Sequence, residues 1–109
     1  MKSVVAVLMV VALVLLAAPA FAAGDAAAGK EVFSKKCASC HGATGDGNET
    51  VAKMLKVDIK PLSSKEIQAK SDADLKKTIL EGTGKMKAVT GIEAKAADNL
   101  VAYVRTLKK

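Results

Sequence analysis

Aromatic residues and histidine are scarce in this 109-residue chain. It contains two Phe, one Tyr, no Trp and a single His, together with two Cys and two Pro. Proteins that bind single-stranded nucleic acid use aromatic rings as stacking platforms. The scarcity of rings therefore argues against a nucleic-acid partner, although the net charge is +6. With one His and only scattered carboxylates, the chain also offers no paired acid and base for work on a substrate, so we do not expect an enzyme.

Strand-like alternation is nearly absent, and the hydrophobic pattern predicts an all-α domain because apolar residues recur at helical spacing. Asp25 is a good N-cap for a first helix over 26–36, which runs into the cysteine-containing segment. A short second helix should end before Pro61, and its apolar side carries Val51, Met54 and Leu55.

Two further helices are predicted from capping signals. Ser71-x-x-Asp74 resembles a capping box that opens a third helix, and Gly82 is a natural end for it. Thr90-x-x-Glu93 predicts the start of the last helix in the same way. The apolar faces of these two helices consist of Leu75, Ile79 and Leu80, and of Ala97, Leu100, Val101, Val104 and Leu107.

The N-terminal segment has the pattern of an export signal. A short basic start is followed by an unbroken apolar run over 4–17, and Ala20-Phe21-Ala22 fits a small-residue cleavage site. We expect residues 1–22 to be a cleaved secretory signal peptide and residues 23–109 to form a single domain in the periplasm or another exported location. An uncleaved membrane anchor is the alternative. Export also argues against nucleic acid as a partner.

The most informative motif is Cys37-Ala38-Ser39-Cys40-His41, which contains both cysteines and the only histidine. A CxxCH segment is typical of c-type haem attachment. Each thiol can add to one vinyl group of a haem, and the following imidazole is then delivered to the iron as the proximal ligand. The motif predicts one covalently attached haem c per chain, with Cys37 and Cys40 as the attachment points and His41 as an iron ligand.

Three other interpretations of this motif were weighed. A thioredoxin-like CxxC requires a strand before it and a parallel sheet around it. A structural zinc site needs four ligands, and carboxylates would have to complete the set. A disulfide between Cys37 and Cys40 is possible in an oxidising compartment, but it leaves His41 unexplained.

A low-spin haem iron needs a second axial ligand, and two methionines of the domain are candidates. Met86 lies in a glycine-rich loop between the third and fourth helices, where small neighbours let the backbone approach a porphyrin. Met54 lies on the apolar side of a helix, where it is expected to fill the core. We therefore expect Met86 to be the distal ligand. Ligation by Lys85 or Lys87 is a weaker alternative, since an amine binds iron only when deprotonated.

With these residues the chain resembles the class I cytochromes c, in particular the small soluble bacterial ones with CxxCH near the mature N-terminus. The resemblance spans 25–109 and rests on the CxxCH segment, the Gly-Lys-Met86 loop and two flanking helices. It implies the all-α class I cytochrome c fold, with about four short helices around one covalently bound haem. Class II cytochromes place CxxCH near the C-terminus, so they match less well.

The resemblance also implies a crossing of the first and last helices. The family pairs a Gly and an aromatic residue four apart with an apolar and an aromatic residue three apart, and this chain has Gly29 and Phe33, then Leu100 and Tyr103. The family has a proline segment whose carbonyl orients the haem-binding histidine, and Pro61-Leu62 is the candidate here. The mitochondrial-type Trp is missing, which favours a short-loop bacterial form.

The residues and the resemblance together predict a one-electron Fe(III)/Fe(II) carrier. The thioether of Met86 and an apolar haem environment would both favour ferrous iron. That environment is expected from Val32, Leu62, Leu80 and Leu100. The alternatives are a small ligand-binding or peroxidatic haem protein with a displaceable Met, and an exported disulfide protein without haem.

The expected partners are redox proteins with an acidic docking face, because most of the charge of this chain is positive. The candidate steering residues are Lys35, Lys36, Lys85 and Lys87. We expect a monomer without a membrane span once the signal is cleaved.

Overall fold

A computed structural model describes residues 24–109, so the expected signal peptide over 1–22 lies outside the described residues. The helices of this region are α1 (Ala26–Lys36), α2 (Ala38–His41), α3 (Glu49–Leu55), α4 (Lys65–Gln68), α5 (Asp72–Glu81) and α6 (Ala94–Thr106). No strand occurs between residues 24 and 109, where one isolated bridge joins Thr83 and Met86. The all-α prediction is confirmed, with the two four-residue helices α2 and α4 in addition to those that the pattern predicts.

The N-terminal caps of α1 and α5 form as predicted. The Asp25 carboxylate accepts hydrogen bonds from the backbone N–H groups of Ala27 and Ala28. The Ser71 hydroxyl accepts one from the Asp74 N–H at 3.1 Å. Each cap supplies a partner for N–H groups that the first helical turn leaves unpaired.

The predicted start of the last helix is wrong. Thr90 is not a cap, and α6 begins at Ala94 after Glu93, whose side chain makes no capping hydrogen bond. Gly91, which lies between Thr90 and Glu93, has a φ of +75°. This left-handed conformation is not the one that a capping box needs within its first helical turn. The Val89 N–H also donates to the Ile79 carbonyl at 2.8 Å, so the chain is still bonded to α5 just before Thr90.

The first and last helices cross at Gly29, as the resemblance implies. A methyl group in place of the Gly29 hydrogen would overlap the Asn99 carbonyl group and lie 3.0 Å from Cβ of Tyr103. The rings of Phe33 and Tyr103 pack at a centroid distance of 5.1 Å, tilted by 53°. The Asp25 N–H also donates to Oδ1 of Asn99 at 2.8 Å. Glycine is needed in α1 because only a bare Cα lets the two backbones approach this closely.

The hydrophobic core lies between α1, α5 and α6. Phe33 and Leu100 are its most deeply buried large side chains, at 2% and 1% exposure. The remaining members are Leu75, Ile79, Ala97, Val101, Tyr103 and Val104. Val32, Leu62 and Leu80 pack against this core while partly buried, so three of the four side chains expected around the haem lie beside the core, and the fourth, Leu100, lies within it.

Polar side chains fasten the segment that contains α4 to α6. The Gln68 amide donates to the carbonyls of Leu62 and Val104, each at 2.9 Å. The Arg105 guanidinium donates to the Gln68 carbonyl at 2.9 Å and to the Asp72 carboxylate at 2.7 Å. These bonds fix a stretch that has little regular structure of its own.

Candidate functional site

The CxxCH segment turns sharply at the junction of α1 and α2. Cys37 lies between the two helices, while Cys40 and His41 lie in α2, and the N–H groups of Cys40 and His41 both donate to the Cys37 carbonyl. Both cysteines are half-buried free thiols. The segment therefore brings both thiols and the imidazole together within one short turn of backbone.

Burial shifts the pKa values of Cys37 and His41. Burial, and to a smaller extent the neighbouring Cys40, raises the pKa of the Cys37 thiol to about 11. Burial lowers the pKa of His41, so its imidazole is neutral at pH 7 and has a lone pair to offer a metal. Its Nδ1 atom is buried and has no hydrogen-bond partner among residues 24–109.

The expected role of Pro61-Leu62 is not found. Nδ1 of His41 has no partner within the described chain, whereas the Pro61 carbonyl accepts a hydrogen bond from the Ser64 N–H at 3.0 Å. The Leu62 N–H is bonded to the Gly45 carbonyl at 2.9 Å, which draws this segment onto the loop after the motif. The carbonyls of Pro61 and Leu62 thus accept from Ser64 and from the Gln68 amide, and neither accepts from His41.

Asn48 fastens α3 to the CxxCH segment. Its N–H donates to the Cys40 carbonyl at 2.9 Å, and its side-chain amide donates to the Ser39 carbonyl at 3.2 Å. Its Oδ1 accepts from the N–H groups of Thr50 and Val51, which makes Asn48 the N-cap of α3. An Asn before a helical stretch is a recognisable cap signal, so this functional contact of Asn48 could have been found from the sequence.

Met86 lies on a tight turn between α5 and α6, where the sequence places it. The N–H of each of Thr83 and Met86 donates to the carbonyl of the other, at 3.0 and 2.9 Å. Gly84 is the first central residue of this turn and has a φ of +53°, a position for which such turns favour glycine. The side chain of Met86 is half-buried.

The prediction that Met54 fills the core is wrong, because this residue is 74% exposed. The seven-residue helix α3 packs mainly against the four-residue α2, and these two short helices are too small to enclose its outer side. Leu55, at the end of α3, is 37% exposed. Two large apolar side chains are therefore left uncovered on the helix that follows the CxxCH loop.

Lys85 connects this helix to the turn that carries Met86. Its ammonium group donates to the Leu55 carbonyl at 2.6 Å. Its Nζ atom is already engaged with this carbonyl, which argues against Lys85 as a distal ligand. Sequence reasoning missed this contact because no local pattern relates residues 30 positions apart.

The residues present fit a haem. Two free thiols and a neutral imidazole are supplied by one turn, a thioether lies on a second turn, and α3 between them leaves apolar surface uncovered. The other interpretations fit less well, because no strand is formed between residue 24 and the motif and the cysteines are not joined in a disulfide. Within 24–109, no group of three or more His, Cys, Asp or Glu side chains is arranged to hold a metal ion.

None of the helices formed by residues 24–109 has the length and apolar character needed to cross a membrane.

Comparison with known proteins places this arrangement in a family. Residues 24–104 match the family described as cytochrome C oxidase, cbb3-type, subunit III. The chain is 38% identical over 93 residues to cytochrome c-554(547) of Halothiobacillus neapolitanus, an alignment that covers 79% of this chain and all of that protein. It is 36% identical over 95 residues to cytochrome c6 of Rippkaea orientalis, covering 84% of this chain and 78% of that protein.

The three-dimensional fold is also similar to that of a known protein. The solved structure of KustC0563 c-type cytochrome is similar, with a TM-score of 0.63 and 27% sequence identity. The similarity covers 74% of this chain and 98% of that one. With a helical fold, a CxxCH turn and relatives of this kind, the chain belongs to the c-type cytochromes as a small class I member.

Proposed function

We propose that this cytochrome is a soluble carrier of single electrons, exported to the periplasm and not itself an enzyme. One haem c per chain would be attached covalently through Cys37 and Cys40, with His41 and Met86 as the iron ligands. The observation that supports this proposal best is that one short helix, α3, is bonded at its N-terminal end to the CxxCH turn and at its C-terminal end to the turn that carries Met86. When bound, the haem supplies an iron that alternates between Fe(III) and Fe(II).

The protein's own part is to hold its ligands still. Burial keeps the imidazole of His41 neutral, and the paired backbone hydrogen bonds between Thr83 and Met86 restrict the turn that presents the thioether. Ligands that stay in place in both oxidation states leave little to reorganise when an electron moves. A thioether is also a soft ligand that favours ferrous iron and raises the reduction potential.

No second function for the described side chains is supported. The chain has no histidine besides His41, so no imidazole is left to act as a general base on a substrate once that residue binds iron. The thiols of Cys37 and Cys40 would likewise be consumed as thioethers. Electron exchange at the haem edge needs none of these groups, which favours a carrier.

The partners we infer are redox proteins with an acidic docking face. Lys35, Lys36 and Lys87 are exposed and form no salt bridge among residues 24–109, so their charges are free to steer an encounter. We expect the exported protein to be a monomer released from its signal peptide at about residue 22, as small-residue cleavage sites predict.

The visible spectrum of the purified protein tests the proposal. A carrier with both axial positions filled should give a sharp low-spin ferrous spectrum that carbon monoxide does not change. A carbon monoxide shift would instead indicate a ligand-binding or peroxidatic haem protein with a displaceable Met86. A colourless protein would overturn the haem assignment altogether.

Covalent attachment is tested on the denatured protein. Haem that stays with the unfolded polypeptide through acid extraction indicates thioether bonds, and Cys37→Ala with Cys40→Ala should abolish this retention. Variants with a single replacement should retain haem through one bond. Complete extraction of haem from the wild-type chain would contradict the covalent assignment while leaving axial ligation open.

A further inference from the structure

The turn that carries Met86 is held from two sides by different kinds of bond. On the α5 side, the contact is between backbone groups just after the turn, since the Val89 N–H donates to the Ile79 carbonyl at 2.8 Å. On the α3 side, the contact is a single side chain, since the Lys85 ammonium donates to the Leu55 carbonyl at 2.6 Å. The second contact joins the turn that carries Met86 to α3, the helix that follows the CxxCH segment.

The Leu55 carbonyl is well suited to receive this ammonium. Leu55 is the last residue of α3, and the last carbonyls of a helix have no partner within it. The C-terminus of a helix also carries a partial negative charge, which favours a cation there. The N–H groups that follow the helix do not bond to the Leu55 carbonyl, since those of Lys56 and Val57 both donate to the Ala52 carbonyl.

Helix α3 connects the Lys85 contact to the CxxCH segment. Its N-cap, Asn48, is bonded to the carbonyls of Ser39 and Cys40, and its C-terminal carbonyl is bonded to Lys85. A helix of seven residues is a rigid spacer of about 10 Å. The segment with His41 and the turn with Met86 are thereby joined through one short helix and three hydrogen bonds.

The geometry points to Lys85 as a positioning residue for the distal ligand: its bond to the Leu55 carbonyl holds the Met86 turn at a set distance from the histidine segment. This inference rests on the proposed role of Met86 as an iron ligand. Loss of the bond should let the turn swing outward on its α5 attachment. The thioether would then leave the iron more often, and external ligands would compete more successfully.

This role separates Lys85 from Lys87, its counterpart on the other side of Met86. Both side chains are exposed, and the sequence treats them alike. The ammonium of Lys87, however, makes neither a hydrogen bond nor a salt bridge with residues 24–109. Lys87 is therefore a matched control, equal in charge and in distance along the chain from the ligand.

The first experiment measures imidazole binding to the ferric holoprotein. In Lys85→Gln we expect the apparent Kd for imidazole to fall roughly three- to tenfold, the loss expected for one charge-assisted hydrogen bond near the surface. Lys87→Gln should stay within about twofold of wild type, and Lys85→Arg should restore most of the wild-type Kd because a guanidinium can also donate to a carbonyl. Equal changes in Lys85→Gln and Lys87→Gln would overturn the inference, because charge alone would then explain them.

A second measurement does not depend on ligation. Amide hydrogen exchange of Thr83 and Met86, whose N–H groups close the turn, should be faster in Lys85→Gln than in Lys87→Gln. Unchanged exchange together with unchanged imidazole affinity would overturn the positioning role. If Met86→Ala leaves the imidazole affinity at the wild-type value, Met86 is not the iron ligand. Faster amide exchange in Lys85→Gln would then show that Lys85 holds the turn in place without any effect on iron ligation.

Discussion

The backbone of Gly29 lies directly against the carbonyl group of Asn99, where α1 crosses α6. The two nearest atoms that a side chain at position 29 would meet belong to the Asn99 backbone, which cannot rotate away as a flexible side chain could. The crossing also buries Phe33 against Tyr103. The contact between the first and last helices therefore depends on the absence of one methyl group.

Gly29→Ala should destabilise the holoprotein by about 1–3 kcal/mol, as overpacking does. The clash with the Asn99 backbone should outweigh the gain of about 1 kcal/mol in helix propensity. Denaturant melts check the result, with Lys30→Ala as an exposed control in the same helix. A Gly29→Ala protein as stable as wild type would show that the helices do not approach this closely.

Lys56→Gly should stabilise the protein by about 0.5–1 kcal/mol, although it removes a side chain. Lys56 ends α3 with a φ of +54°, the left-handed conformation that glycine adopts without strain. Lys53→Gly, within the same helix, should instead destabilise by about 1 kcal/mol. Thermal melts of the two variants should shift in opposite directions, and a shared direction would contradict the assigned cap.

Gln68→Leu should destabilise by about 0.5–1.5 kcal/mol, because the Leu62 carbonyl loses its amide donor and the bridge to α6 is broken. The orientation of the amide is supported by Arg105, whose Nη1 lies 3.5 Å from Gln68 Oε1. Gln68→Met should behave like the Leu variant, since a thioether of similar length cannot donate to a carbonyl. Urea titration checks both, and a wild-type midpoint for Gln68→Met would refute the bridge.

Met86→Ala should open the distal position, lower the reduction potential and admit carbon monoxide to the ferrous protein. Met54→Ala should leave ligation unchanged, because Met54 lies within helix α3, whereas Met86 is presented by a tight turn closed by its own backbone hydrogen bonds. Potentiometry and carbon monoxide difference spectra distinguish the two variants. If Met54→Ala is the one that binds carbon monoxide, the ligand assignment is reversed.

Electron exchange should depend on the charge of the reagent. Oxidation of the ferrous protein by an anionic iron cyanide complex should slow as salt rises, because exposed charges are screened beyond about 8–10 Å at physiological ionic strength. A cationic cobalt complex should show the opposite trend. Lys35→Gln with Lys36→Gln should flatten both trends if these exposed residues supply the field. Rates that ignore salt would contradict a basic docking face.

Much of the fold was predictable because its signals are local. The Asp25 and Ser71 caps, the all-α content and the glycine-rich turn before Met86 each follow from residues a few positions apart. The Thr90 cap failed for a local reason as well, since the conformation of Gly91 was not foreseen. The exposure of Met54 could not be predicted, because an apolar helix face does not say whether another element covers it.

The sequence by itself determined where the CxxCH segment lies, which methionine is free of a helix, and that Gly29 and Phe33 share one face of α1. These are properties of spacing along the chain. Only the tertiary structure decided that Asn99 faces Gly29, that Lys85 reaches the Leu55 carbonyl, and that Gln68 bridges to Val104. The physical reason is distance along the chain: the hydrogen bonds from Lys85 and Gln68 span 30 and 36 positions, and such contacts exist only once the helices have packed.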